Sequence, residues 1–233
     1  MEAIVIATTK SRCLNVMLAS IDNYIPSHVK IYISTENFID YKGSHVIHQF
    51  PNLQNNFGDA YNKIVHIAYG WHDSIVICND DIVFTPTTWE TLENDKNILK
   101  KHNVKLGYLS CRTDYARGFQ NIRAKATEHS ELSGIKYSDE NRILSTPVIS
   151  PICAYIEKKA WIDFMPINFF SDDIQCYDME QKGFKHFISS SYVHHVGSQS
   201  LAEYPQEYKK AVTWIENNRP DFIEVMANKY GIH

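Results

Sequence analysis

Asn79, Asp80 and Asp81 follow directly on Ile75, Val76, Ile77 and Cys78 in a chain of 233 residues. A short apolar, mostly β-branched run of this kind reads as a strand covered on both faces, as the central strands of parallel sheets are. The polar triplet then stands at the strand's carboxyl end, the edge of an open α/β sheet where ligands bind. Asn and Asp are also favoured in ordinary turns, so the triplet is either a binding site or a turn. A second concentration of chemistry is basic. Between Lys96 and Lys125 there are eight cations (Lys96, Lys100, Lys101, Lys105, Arg112, Arg117, Arg123, Lys125) and one acid, Asp114. With Tyr108, Tyr115 and Phe119 interleaved, this stretch could hold a polyanion such as DNA through its phosphates. Alternatively, the lysines up to 105 are a solvated helix face and the arginines serve only a nucleotide diphosphate.

The elements that must position these groups alternate. Ala3 to Ala7 reads as a strand, Thr8 to Lys10 as a loop, and Leu14, Met17, Leu18, Ile21 and Tyr24 as the spacing of a helix. Strands over Val29 to Ile33 and His45 to Phe50 precede a helix over Gly58 to Trp71 that turns Ile64, Val65, Ile67 and Ala68 inward. After the strand at 75–78, Thr87 and Glu90 have capping-box spacing beside Pro86, predicting a helix towards Lys101. Lys105 to Ser110 is a further strand. This alternation predicts an α/β fold with a mostly parallel central sheet and helices on both faces. Arg112 to Thr146 has no periodicity and is long for a connection, which suits a functional loop. Beyond it come a strand within Val148 to Ile156 and helices near Lys158 to Phe164 and Asp172 to Lys182. Two short strands at Phe184 to Ile188 and Tyr192 to His194 follow, then a helical tail from Glu203 to Tyr230 broken at Pro220.

Composition bounds the class. With 44% hydrophobic residues, the chain can bury one substantial core, and the whole of 1–233 is expected to be a single domain. Its formal charge of −4 gives no global attraction to polyanions. Five cysteines without a C-x-x-C pair predict reduced thiols. The five-residue apolar run at the start is too short for a signal peptide or a membrane span, so a cytoplasmic location without a transmembrane segment is expected.

Six segments, in order, resemble family 2-like glycosyltransferases of the GT-A fold: "VIATTKSR", "NFGDAYNKIVHIA", "ICNDDIVF", "PICAYIEKKAW", "FFSDDIQCYDMEQKGFK" and "VHHVGSQS". The likeness covers most of the chain. It implies a nucleotide-binding half (1–110) and an acceptor-binding half with a helical tail (111–233). The activity implied is transfer of a hexosyl or pentosyl group from a nucleotide-sugar donor to an acceptor hydroxyl, with inversion. The acceptor expected is a saccharide or glycoconjugate, or hydroxymethylated DNA bases if the basic segment serves that purpose.

The resemblance also distributes roles. Asp81, with Asn79, is the expected ligand set of a divalent cation, Mn²⁺ or Mg²⁺, that stabilises the charge developing on the leaving diphosphate. The usual first acid of the motif is Asn79 here, so coordination is expected to rest on Asp81, while Asn79 or Asp80 contacts the ribose. His195, or alternatively His194, supplies an imidazole, which favours manganese; otherwise the pair is satisfied by neighbouring backbone. Asp173, favoured over Asp172, takes the proton of the acceptor hydroxyl. The alternative for both acids is a helix start capped by Ser171. Thr8, Thr9 and Arg12 are expected at the base and diphosphate, Glu36 at the nucleotide, and Asn56 and Asn62 in the pocket wall. Two other classes compete. A nucleotidyltransferase would show a glycine-rich phosphate loop where "ATTKSR" has no glycine, and a binding module without activity would have no need of the acids.

Overall fold

The computed structural model describes residues 1–8, 13–52, 56–114, 116, 120–122, 142–196 and 204–229, with the backbone alone at 204 and 227–229. The first half folds as its periodicity requires. β1 (Ala3–Ala7), β2 (Lys30–Thr35), β3 (Ile47–Pro51) and β4 (Ser74–Cys78) lie parallel in the order β3-β2-β1-β4. α1 (Leu14–Tyr24) joins β1 to β2, and α2 (Phe57–Ala68) joins β3 to β4. Every residue from Ile75 to Cys78 is buried, as expected of a strand covered on both sides.

Beyond β4 the sheet becomes mixed. β8 (Cys153–Glu157) runs antiparallel to β4, placing Cys153 opposite Cys78. β6 (Leu106–Thr113) is antiparallel to β8 and parallel to β9 (Lys185–His195). The far edge of β9 carries β7 (Leu144–Thr146) at one end and β5 (Ile82–Phe84) at the other, both antiparallel to it. α1 and α3 (Thr88–Lys101) cover one face through Met17, Ile21, Trp89 and Leu92. α2 and α4 (Ser171–Gln181) cover the other through Tyr61, Ile64, Val65, Cys176 and Met179. α5 (Tyr204–Asn218) and α6 (Pro220–Lys229) pack outside α4 around Ala211, Ile215 and Phe222, and Arg219 forks onto Asp178 at 2.8 and 2.9 Å.

Four local expectations are corrected, each by a tertiary contact. The two short strands at 184–194 are one strand, β9. Its polar middle is held because Asp95 Oδ2 on α3 accepts the Ser189 hydroxyl (2.6 Å), the Ser190 N–H (2.7 Å) and the Ser190 hydroxyl (2.9 Å). Against β6, Ser189, Ser190 and Ser191 together oppose Cys111 alone, a bulge that increases local twist. The helix expected over 158–164 is a single 3₁₀ turn, Lys158–Ala160. The Asn62 carboxamide grips Phe164 through both its N–H (2.8 Å) and its carbonyl (2.9 Å), which holds the following segment extended. Thr87 does not cap α3 with its side chain; the neighbouring Thr88 hydroxyl instead accepts the Thr85 N–H and donates to Tyr192 O. The strand expected from Val148 begins only at Cys153, because Ile149 N–H and Ser150 N–H turn to Cys176 Sγ and Gln120 Oε1. All five cysteines are free thiols, and no helix among the described residues is long and apolar enough to cross a membrane.

Candidate active site

The carboxyl ends of β1, β2 and β4 share one edge of the sheet, and the strand-end triplet lies there. Asn79 remains tied to the β8 side through its N–H to Ile152 O (2.8 Å). Three residues later the chain enters β5, whose Ile82 lies opposite His195 on β9, and Val196 N–H returns to Asp81 O at 3.1 Å. The end of β9 is thereby locked beside the triplet.

Successive side chains on a strand point to opposite faces, so only one of the adjacent histidines can meet the acids. It is His195, which is nearly enclosed. Its Nε2 lies 3.1 Å from Asp81 Oδ1 and 3.3 Å from Asn79 Nδ2. His194, half exposed, places Nδ1 2.7 Å from Asp114 Oδ2. The other oxygen of Asp114 accepts the His195 N–H at 2.9 Å, so one buried carboxylate fixes both histidines. Sequence reasoning counted Asp114 only as the lone acid of a basic segment; its isolation among cations was the available signal.

Asp80 is tied to the end of β1 through Thr8. Burial pushes its carboxyl up to about 6, opposed by a hydrogen bond from the Thr8 hydroxyl. Thr8 is itself built into the sheet edge, its N–H donating to Ser34 O (2.8 Å) and its carbonyl accepting from Asn52 Nδ2 (3.3 Å). At the head of α1 the Cys13 thiol is pushed up by burial and by the charges of Asp81 and Asp80. Glu36 is exposed, one residue past β2. Thr9 and Arg12 lie outside the described residues.

Asn56 and Asn62 both hydrogen-bond backbone groups. Asn56 caps α2, its Oδ1 accepting the Asp59 N–H at 2.8 Å, and Asn62 holds Phe164 as described. Gly58, between them, is required by close approach: a Cβ there would stand 1.8 Å from Met165 O. α2 and the segment at 164–170 are therefore pressed together, and that segment leads into α4.

At the head of α4 the two acids separate. Phe170, in the left-handed region at φ 63°, starts the helix without a side-chain cap. Ser171 is already helical and its hydroxyl donates to Met165 O at 2.9 Å, so the capping role considered for it is not the one it plays. Asp173 is completely buried. Asp172 is half-buried and lines a cavity of about 130 Å³ together with Asn79, Phe57, Ser150 and Asn168. Of the two acids, Asp172 is the one that lines this cavity. A larger cavity of about 300 Å³ between α1 and residues 39–43 lies away from the acids. There Asp22 binds Tyr41, Ser44 and His45, and those contacts fasten a loop.

The basic segment does not gather into one surface among the described residues. Lys96 pairs with Glu93 (3.2 Å), Lys100 with Glu157 (2.6 Å), Lys105 donates to Lys182 O and covers the Phe184 ring, and buried Arg112 donates to Ser189 O and Arg142 O. Lys101 is exposed. Arg117, Arg123 and Lys125 lie outside the described residues.

Asp81, His195 and Asn79 are residue types that could hold a divalent cation. Among the described residues no three His, Cys, Asp or Glu side chains form a metal cage. Asp81, His195 and the Asn79 carboxamide offer a partial set instead. Magnesium-type sites are commonly of this form, with one or two carboxylates from the protein and the remaining positions filled by substrate phosphates and water.

No family model and no curated protein sequence matches the chain. Solved structures do. Staphylococcus aureus TarS (residues 1–349) superposes with a TM-score of 0.58 at 12% identity, over 92% of this chain and 64% of that one. The same TarS fragment with UDP-GlcNAc gives 0.56 at 12% identity, over 87% and 61%. GalNAc-T7 with UDP, GalNAc and Mn²⁺ gives 0.59 at 9% identity, over 98% and 57%. The chain spans less than two thirds of the length of each of these proteins. They are GT-A glycosyltransferases, and the chain has their fold: a central multi-stranded sheet between helices, with the Asn79–Asp81 triplet at the carboxyl end of β4.

Proposed function

We propose that the protein transfers a sugar from a nucleoside-diphosphate donor to the hydroxyl of a saccharide or glycoconjugate. The observation that carries this reading is the Asp81–His195–Asn79 cluster at the carboxyl end of β4, joined through Asn79 to a cavity that also holds the Asp172 carboxylate. The structures of GalNAc-T7 with UDP and Mn²⁺ and of TarS with UDP-GlcNAc support the choice of donor and metal.

In this reading Asp81 and His195 would hold a divalent cation, with the Asn79 carboxamide beside them. When bound, the cation offsets negative charge on the departing diphosphate. Asp80 and Thr8 face the ribose. Asp172 accepts the proton of the acceptor hydroxyl as its oxygen bonds to the anomeric carbon, and the carbon–oxygen bond to the diphosphate breaks on the opposite side. The products are an inverted glycoside and the nucleoside diphosphate. Asp114 holds the strand backbone at His195 by accepting its N–H.

The test is release of UDP from UDP-GlcNAc and UDP-GalNAc, with and without manganese. Metal-dependent release is expected from at least one donor. Failure with every sugar nucleotide tried, despite measurable nucleotide binding, would leave a binding module and refute the transferase.

A further inference from the structure

Asn168 lies where three parts of the molecule meet. It belongs to the segment between the 3₁₀ turn and α4, lines the cavity with Asp172 and Asn79, and is exposed to whatever enters. Partners of opposite demand fix its carboxamide. Oδ1 accepts the N–H of Phe57, the first residue of α2, at 2.8 Å, and Nδ2 donates to Glu207 Oε2 on α5 at 2.6 Å. A backbone N–H needs an acceptor and a carboxylate needs a donor, so the amide cannot be turned over. Glu207 is in turn held by Lys210, Nζ to Oε1 at 2.6 Å, and its carboxyl lies below the ordinary range because of Lys210 and Asn168.

A carboxamide has two N–H donors and two acceptor lone pairs. Among the described residues each amide atom of Asn168 has one partner, leaving one donor and one acceptor site. That pair matches an alcohol, which both donates and accepts. It suits a phosphate or carboxylate poorly, because such a group uses only the donor and would sit in the same small cavity as the Asp172 carboxylate. Phe57 adds an apolar wall, its ring braced by Tyr61 and Phe164 at centroid distances of 4.7 and 5.2 Å. A sugar has this combination of hydroxyls around an apolar C–H face.

Resting on the glycosyltransferase reading above, we infer that Asn168 binds a hydroxyl of a saccharide acceptor next to the one Asp172 deprotonates, and that Glu207 is the positioning residue that orients Asn168. The inference makes α5 part of the acceptor site, although it lies far along the chain from β4.

Saturation-transfer NMR with the methyl glycosides of glucose, galactose and N-acetylglucosamine, in the presence of UDP and magnesium, tests this. The native protein should bind at least one glycoside. Asn168→Ala should weaken that binding by about tenfold, the loss expected for one well-placed hydrogen bond, while UDP affinity by calorimetry changes less than about twofold. Glu207→Ala should weaken it severalfold, and Glu207→Gln should restore it, since an amide oxygen still accepts from Asn168 Nδ2. The inference is overturned if Asn168→Ala leaves glycoside affinity unchanged, if UDP affinity falls in parallel, if Glu207→Gln is as impaired as Glu207→Ala, or if the native protein binds none of the glycosides. Glycoside binding that responds to these substitutions, in a protein that releases no UDP from any donor, would instead refute the transferase reading and leave a sugar site.

Discussion

At the scale of single residues, two adjacent pairs in the sequence are separated by the geometry of their elements. His194 and His195 alternate across β9, so one meets Asp114 and the other meets Asp81. Replacing His195 by Ala should lower metal-dependent nucleotide affinity by roughly tenfold or more, whereas His194→Ala should leave it within twofold; equal losses measured by calorimetry would remove the distinction. Asp172 and Asp173 are separated by the start of α4. Asp172→Asn is expected to keep donor affinity while transfer falls about a hundredfold or more, the range for losing a general base. Asp173 is fully enclosed, so Asp173→Asn should appear first as lost stability in a denaturant titration. Loss of transfer in a fully stable Asp173→Asn protein, with Asp172→Asn active, would restore the order suggested by the sequence. That order followed family resemblance, and which carboxylate reaches a cavity depends on the backbone at Phe170, where a left-handed residue starts the helix.

The elements divide by how local their causes are. β1 to β4, α1 and α2 were legible because their apolar spacing alone specifies a parallel unit with buried strands, and the Asn79–Asp81 triplet was legible with them. What the sequence did not reveal depends on distant partners. β9 looked interrupted because its serines are polar, and they become strand only through Asp95 on α3. Residues 161–164 looked helical until Asn62 on α2 held Phe164 in place. Asn62 was expected in the pocket wall from the resemblance, because its partner Phe164 is not visible in the sequence. The contact between α2 and the 164–170 segment can be tested at Gly58, where a Cβ would collide with the Met165 carbonyl. Gly58→Ala should destabilise the protein by about 1–3 kcal/mol, as overpacking does, and should reduce transfer more than nucleotide binding, because Asp172 follows that segment. A Gly58→Ala protein of unchanged stability would show that the segment is looser than described.

Across the whole molecule, the candidate site and a charge network around Glu157 occupy opposite edges of the sheet. Glu157 lies opposite Ser74 at the amino end of β4, far from the triplet. Lys100 and Lys159 pair with it and the Tyr155 hydroxyl donates to it, and against the cost of burial they hold its carboxyl down at about 2. A depressed carboxyl stabilises the fold fully above its unfolded value of 4.5, and that contribution fades as pH falls towards 2. Glu157→Gln should therefore flatten the acid limb of stability against pH, with unchanged nucleotide affinity near neutrality; an acid limb as steep as the native one would assign that limb to other carboxylates.

The central claim is that Asp81, His195 and Asn79 hold a metal-bound nucleoside diphosphate at the end of β4. Calorimetric titration of UDP into the native protein and into Asp81→Ala, with and without manganese, tests it most directly. Binding should require manganese in the native protein and be lost in Asp81→Ala, with circular dichroism showing that the variant remains folded. Equal affinity without metal, or an Asp81→Ala protein that binds manganese and UDP as tightly as the native one, would contradict the account.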